Sequence, residues 1–439
     1  MVYTRKSPAL LVIGLILLAH GYMIAGGNLA DVVAYLKISK GVVAEMTDLS
    51  YVFGAIAVVV GLWHWFGDHK EGGLDYYAST VAGGAFILFV AMIVKWYLSP
   101  WVAVLSRALG PVAGTPAKPS YLHDVLGLNY VVLGIVAGMI TVNVFKIPDW
   151  AHNGVRLSRL GLKTGVILLG TLYSLGELAK LGQLSVVMIG IFVLGSAWLV
   201  LLIGERRKIS NSMGGVLAAG VGVCGVSAAV AAAPVVKARS DEIAYTIGTI
   251  LVFGVICMFI FPVVGHALGM SYVQFGAWAG TGILNSAQVA GAALAYQPTG
   301  DLETLKVGEI FNITRVLFLP IIVMWLAVWY VRRENEAGSA VEKVDTTRVI
   351  IEKFPVFVLG FILMFAIGSA GVFSKTMIGA FRDWLTWLFA FGLTGLGMQI
   401  TIAAMRQAGG EPLVIGSIVG TLKAVLSLIV VLMFVHGTI

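Results

Sequence analysis

Within the long apolar runs of this 439-residue chain, the side chains able to do chemistry fall into two clusters and a few isolated cations. Residues 212–236 are apolar but interrupted by Gly220, Gly222, Gly225 and Pro234, with Cys224 and Ser227 in the gap. Residues 276–297 carry Gly280 and Gly282 just ahead of Asn285, Ser286 and Gln288. Clustered glycine releases the backbone from the helical ladder, and freed amides and carbonyls at membrane depth are tolerated only in protein or around a cavity. Glycine followed by Asn-Ser is the chemistry of a helix stop and a new start, with Asn285 or Ser286 as N-cap. Two such interruptions aimed at one point would present helix N-termini to an anion and unwound carbonyls to a coupling cation. The alternative is plain packing, in which small residues form a close contact face between helices.

Arg315, in NITRVLFLP beside Asn312, lies deep in an apolar run and offers the forked donors that hold an oxyanion bidentately. It has a structural alternative too, as the partner of Glu309 or of a helix end. Lys423, near the middle of the last apolar run, suits a ligand or an acid elsewhere such as Asp383; Lys163 is expected to snorkel to the surface. Neither interrupted segment contains Asp or Glu, which argues against a cation antiporter carrying its ion on an intramembrane carboxylate. Asn285 and Gln288 remain candidate sodium ligands. No Walker, GxSxG or HExxH pattern occurs, so the chain reads as no enzyme. His64, His69, His123 and His266 lack metal-ligand spacing, and Cys224 and Cys257 provide neither a disulfide framework nor a zinc site. No cofactor is expected.

The elements that must position these groups are membrane helices. Hydrophobic residues make up 59% of the chain and charged residues only 12%, where soluble domains run roughly 25% charged. At roughly 20 apolar residues per crossing, the runs predict an all-α polytopic membrane protein of about thirteen spans. Continuous runs such as 183–203 and 411–435 exclude a β-barrel. The net charge of +7 is read as a topology signal, not as a nucleic-acid surface. With Arg5 and Lys6 inside, alternation places Arg156, Arg159, Glu205 to Lys208 and Arg332-Arg333 on the cytoplasmic side, as in a bacterial-type inner membrane. Lys237 and Arg239 then fall on the wrong side, unless 212–236 re-enters.

Prolines 100, 111, 116 and 119 separate a three-helix membrane extension, residues 1–127, from a transporter core over 128–439. Gly165, Gly170 and Gly182 recur at constant offset as Gly392, Gly397 and Gly409, a weak internal repeat of the kind inverted-repeat transporters show.

Four segments carry a resemblance to the YeiH family, a group named as sulfate exporters: residues 154–182, 221–249 (with the CGxSA element), 276–296 (with AQV) and 312–320. The resemblance runs from about residue 128 to the C-terminus and leaves the first 127 residues unassigned. It implies a place among the bile-acid symporters and cation/proton antiporters, with inverted repeats and two discontinuous helices crossing at the midplane. Where family members carry a His and an acid, this chain has Leu284 and Asn285; where they carry a Lys, it has Asn312.

The expectation is therefore a secondary transporter of a small oxyanion (sulfate, sulfite or a sulfonate) working by alternating access. Cys224, Gly225, Ser227, Asn285, Ser286, Gln288, Asn312 and Arg315 are its expected site, and Na+ or H+ its coupling ion. A homodimer in lipid is expected. A sodium- or proton-coupled organic-acid carrier and a non-transporting membrane subunit are the competing readings.

Overall fold

Among the described residues, the chain divides into two compact units, Met1–Gly165 with Arg382–Thr401, and Val166–Phe381 with Ile402–Ile439. The computed structural model describes residues 6–67, 74–115, 118–125, 128–173, 175–297, 302–336, 356–406 and 409–435; Arg5 and most of the polar loop from Arg332 to Lys353 lie outside them. In chain order run α1 (Ala9–Ala25), α2 (Ala30–Tyr35), α3 (Lys40–Phe66), α4 (Leu74–Ile93), a π-helical turn (Val94–Leu98) and α5 (Ser99–Ala108). Strands β1 (Pro111–Thr115) and β2 (Lys118–Tyr121) come next, then α6 (Leu122–Val125), α7 (Tyr130–Ile140), α8 (His152–Leu169) and α9 (Leu175–Arg206). The following helices are α10 (Asn211–Gly222), α11 (Val226–Ala232), α12 (Ser240–Ala267), α13 (Tyr272–Gly282), α14 (Ser286–Tyr296), α15 (Glu303–Leu317) and α16 (Leu319–Glu336). The last four are α17 (Val356–Ser369), α18 (Lys375–Gly397), α19 (Ile402–Arg406) and α20 (Gly410–Phe434).

Among the described residues six helical stretches are long and apolar enough to cross a bilayer: Lys40–Phe66, Ser79–Ala108, Gly182–Arg206, Ser240–Ala267, Glu303–Asn335 and Gly410–Phe434. Shorter apolar helices add Ala9–Ala25, Tyr130–Phe145 and Val356–Ser369. The protein is polytopic, and the described residues are mainly helical. Among them the exception is the antiparallel pair β1–β2, with Thr115 opposite Lys118 and Pro111 opposite Tyr121. Its prolines, read from sequence only as helix breakers, are tolerated because a two-stranded ribbon has two free edges.

In the first unit α1 packs closely on α3: a Cβ at Gly61 would stand 2.5 Å from the Leu11 amide nitrogen. Glu45 of α3 accepts from Lys95 Nζ (3.0 Å) and from Trp96 Nε1 (3.2 Å), so the π-turn is pinned to α3 by a charge-assisted pair.

In the second unit, the two interrupted segments do not continue across the molecule as discontinuous helices. Each doubles back. At the start of α10, Ser210 and Ser212 donate through their hydroxyls to Glu242 Oε1 at the start of α12, the second at 2.9 Å. A Cβ at Gly215 would lie 2.8 Å from Val236 Cγ1. The chain entering at Ser210 and the chain leaving at Arg239 therefore lie side by side, and α10–α11 is a helical hairpin with its tip at residues 223–225. The second segment is built alike. Tyr296, ending α14, stacks on Phe275 near the start of α13 (centroids 3.9 Å) and donates to the Met270 carbonyl at 2.5 Å. Its tip is residues 283–285. Between the hairpins α12 runs 28 residues, about 42 Å, so the two enter from opposite ends of that helix. The expected pair of crossing helices is thus corrected to two opposed hairpins. Short, Ala- and Gly-rich half-helices allow it, because their small side chains let antiparallel halves approach.

Candidate functional site

The two tips meet. Gly225 has φ +79°, a left-handed conformation open to glycine, and a Cβ there would sit 2.9 Å from Asn285 Cα. A tight reversal at the first tip and close approach of the second both require this residue to lack a side chain. Asn285 caps α14, its side-chain oxygen accepting from the Ala287 amide at 3.3 Å. That oxygen, a candidate sodium ligand, is therefore engaged within the chain.

Half-helices that end in the interior leave carbonyls without partners, and these concentrate negative potential. Here both ends are met by cations from neighbouring helices. Lys423 of α20 donates from Nζ to the carbonyls of Val221 and Gly222, both at 3.0 Å, and closes the end of α10. Arg315 of α15 donates from one terminal nitrogen to the Ile283 carbonyl just beyond α13, and from the other to Asn312 Oδ1 at 3.1 Å. Lys423 and Arg315 are 3% and 0% exposed, so each replaces lost hydration with carbonyl and amide oxygens. Lys423 finds carbonyl oxygens where a ligand or an acid such as Asp383 was expected. Arg315 finds a helix end, one of its two structural alternatives.

The other alternative is present in altered form. Asn312 Nδ2 donates to Glu309 Oε2 at 3.0 Å, so Glu309, Asn312 and Arg315 form a relay along α15 in which the amide stands between the two charges. Cys224, buried at the first tip, lies within electrostatic reach of both Arg315 and Lys423.

Three buried polar groups here retain bonding capacity: the Ser286 hydroxyl, the Arg315 Nε–H and both amide atoms of Gln288 have no hydrogen-bond partner among the described residues. Gln288, fully buried, projects over Gly254 of α12, where a Cβ would overlap its amide, with Cδ at 2.7 Å. Ser227 differs from the rest of the expected site in being exposed on α11. The structure thus gathers Cys224, Gly225, Asn285, Arg315 and Asn312 about the tips, and sets Gln288 one turn along α14. Sequence reading did not include Lys423 or Glu309 in the site; their depth was visible, but their partners lie 202 residues away on α10 and three away through an amide. Among the described residues no group of three His, Cys, Asp or Glu is placed to hold a metal.

Residues 102–416 match the family described as conserved hypothetical protein 698. The chain belongs to that family. Two relatives from Nitratidesulfovibrio vulgaris, each called a UPF0324 membrane protein, are 39% identical over 374 residues (83% of this chain, 98% of the relative) and 36% identical over 309 residues (70% and 85%). A UPF0324 membrane protein of Bacillus cereus is 27% identical over 330 residues, covering 74% of this chain and 94% of the relative. This is the YeiH-type family of the resemblance. Similarity over 83% of the chain is more than residues 128–439 can supply, so the kinship reaches into the extension. No solved structure matches.

Proposed function

We propose that the protein is a secondary active transporter of a small oxyanion, of the sulfate, sulfite or sulfonate kind, that works by alternating access. The observation carrying this reading is the balance of used and unused groups where the tips meet. The carbonyls that would coordinate a cation are spent on Lys423 and Arg315, whereas the unspent groups include a charged donor, the Arg315 Nε–H, beside the Ser286 hydroxyl and the Gln288 amide, which donate as well as accept. Unspent donors beside fixed positive charge favour an anion.

Two hairpins opposed across one helix are what an inverted-repeat carrier uses to expose a central site alternately to either side. In this reading the hairpins re-enter, so about eleven segments cross instead of thirteen. Lys237 and Arg239 then join Glu205 to Lys208 and Arg332-Arg333 on the cytoplasmic side, which removes the topological conflict. The N-terminus is cytoplasmic, the membrane is a bacterial-type inner membrane, and two copies associate in lipid. The protein is a carrier with no catalytic chemistry, coupled to Na+, H+ or counter-substrate.

Counterflow in proteoliposomes tests this. Vesicles loaded with unlabelled sulfate, sulfite or methanesulfonate should accumulate the labelled anion transiently, and the Arg315→Lys variant should not. Equal uptake by protein-free vesicles for every anion tried would refute the reading.

A further inference from the structure

The fixed charges at the tips do not cancel. Lys423 and Arg315 each hold the end of a half-helix, and one buried carboxylate, Glu309, answers them through Asn312. Glu309 is 1% exposed and Asn312 is 5% exposed. On α15 itself Lys306 lies one turn before Glu309 and Glu303 one turn before that, and Lys306 carries its Nζ over the Tyr173 ring, 5.8 Å from the centroid. The helices packed on α15 add little: α13 and α14 contain no Asp, Glu, Lys or Arg, α9 carries its charges near its two ends (Glu177, Lys180, Glu205, Arg206), and α16 only from Arg332 onward. Cys224 is the remaining titratable group at the tips.

With Arg315 and Lys423 both charged, the trio carries one surplus positive charge when Glu309 is ionised and two when Glu309 is protonated. Inside a membrane protein an uncompensated charge is costly, so the bound ligand should supply the missing negative charge. We propose that Glu309 sets the valence of the transported anion: ionised, it leaves a site for a monoanion, and a dianion is carried together with one proton on Glu309. This rests on the anion reading above. The Asn312 amide suits it to the task, because its Nδ2–H can donate to a carboxylate or to the carbonyl oxygen of a carboxylic acid while its Oδ1 goes on accepting from Arg315. Proton and dianion then cross together, and the loaded site keeps the same net charge as the site loaded with a monoanion.

Sulfate and methanesulfonate are suitable probes, being dianion and monoanion throughout the pH range in which the protein is handled. The direct test is proton uptake by the purified protein in weakly buffered detergent solution containing a pH dye. About one proton should be taken up per sulfate bound at the alkaline end, and none per methanesulfonate. Correspondingly, sulfate affinity should rise as pH falls, by up to about tenfold per pH unit, and level off once Glu309 is protonated. In Glu309→Gln, sulfate binding should persist at its low-pH strength with no pH dependence. Sulfate binding without proton uptake, or an unchanged pH slope in Glu309→Gln, would overturn the role of Glu309 while leaving anion binding intact. Binding of neither anion would overturn both.

Discussion

Arg315 is the residue on which the account turns, since it touches both the second tip and the relay to Glu309. Its removal should hurt in two separable ways. Arg315→Met leaves Glu309 buried without a countercharge, a change that costs about 3–5 kcal/mol, so thermal unfolding in detergent should shift strongly downward. Adding Glu309→Gln to Arg315→Met should restore most of that stability, because the double variant no longer buries a carboxylate that has lost its partner across Asn312, and Lys423 stays on its two carbonyls as before. Strictly additive losses would mean the two do not communicate through Asn312. Arg315→Lys should fold yet bind anions roughly 10- to 100-fold more weakly, because an ammonium cannot span Ile283 and Asn312 while retaining a donor for ligand. Lys423→Met should cost about 1–3 kcal/mol through the uncapped carbonyls of Val221 and Gly222. At this scale the sequence told which residues were deep but not what they touch. Arg315 is 32 residues from the carbonyl it holds, and local pattern carries no information across that separation.

At the scale of elements, both hairpin tips were legible, because Gly225 and the Gly282–Asn285 stretch carry the residue types that stop and restart helices. Their direction was not. A half-helix that crosses and one that folds back share composition, and the deciding contacts, Ser210 with Glu242 and Phe275 with Tyr296, join residues that are distant in sequence. Only the misplaced positive charges of Lys237 and Arg239 hinted at the reversal. Gly225→Ala should separate the roles of the tip. The backbone at φ +79°, ψ −127° is one that essentially only glycine adopts and costs another residue about 1–3 kcal/mol, while the added methyl drives the tips apart. Exchange should therefore fall by more than tenfold with fold retained; unaltered exchange would show that tip contact is dispensable. Cys224 provides a reporter in the background Cys257→Ala. A small membrane-permeant thiol reagent should label it, and sulfate should slow the labelling. A thiol inert with and without ligand would place Cys224 in packed core.

The whole molecule was read correctly as a polytopic helical membrane protein, since apolar runs of this length leave no other class open. The β1–β2 pair escaped notice because its prolines and glycines carry turn signals that mask a short strand. The hairpin reading keeps the number of crossings odd. A periplasmic-type phosphatase fused after residue 439 should accordingly be active and one fused within 205–208 inactive. The most direct test of the central claim, that the opposed tips hold an anion and not a cation, is equilibrium binding of labelled sulfate to the purified protein in sodium-free buffer. The account predicts saturable binding that sodium does not strengthen and that Arg315→Lys weakens at least tenfold. Binding that appears only when sodium is added, and that survives in Arg315→Lys, would contradict it.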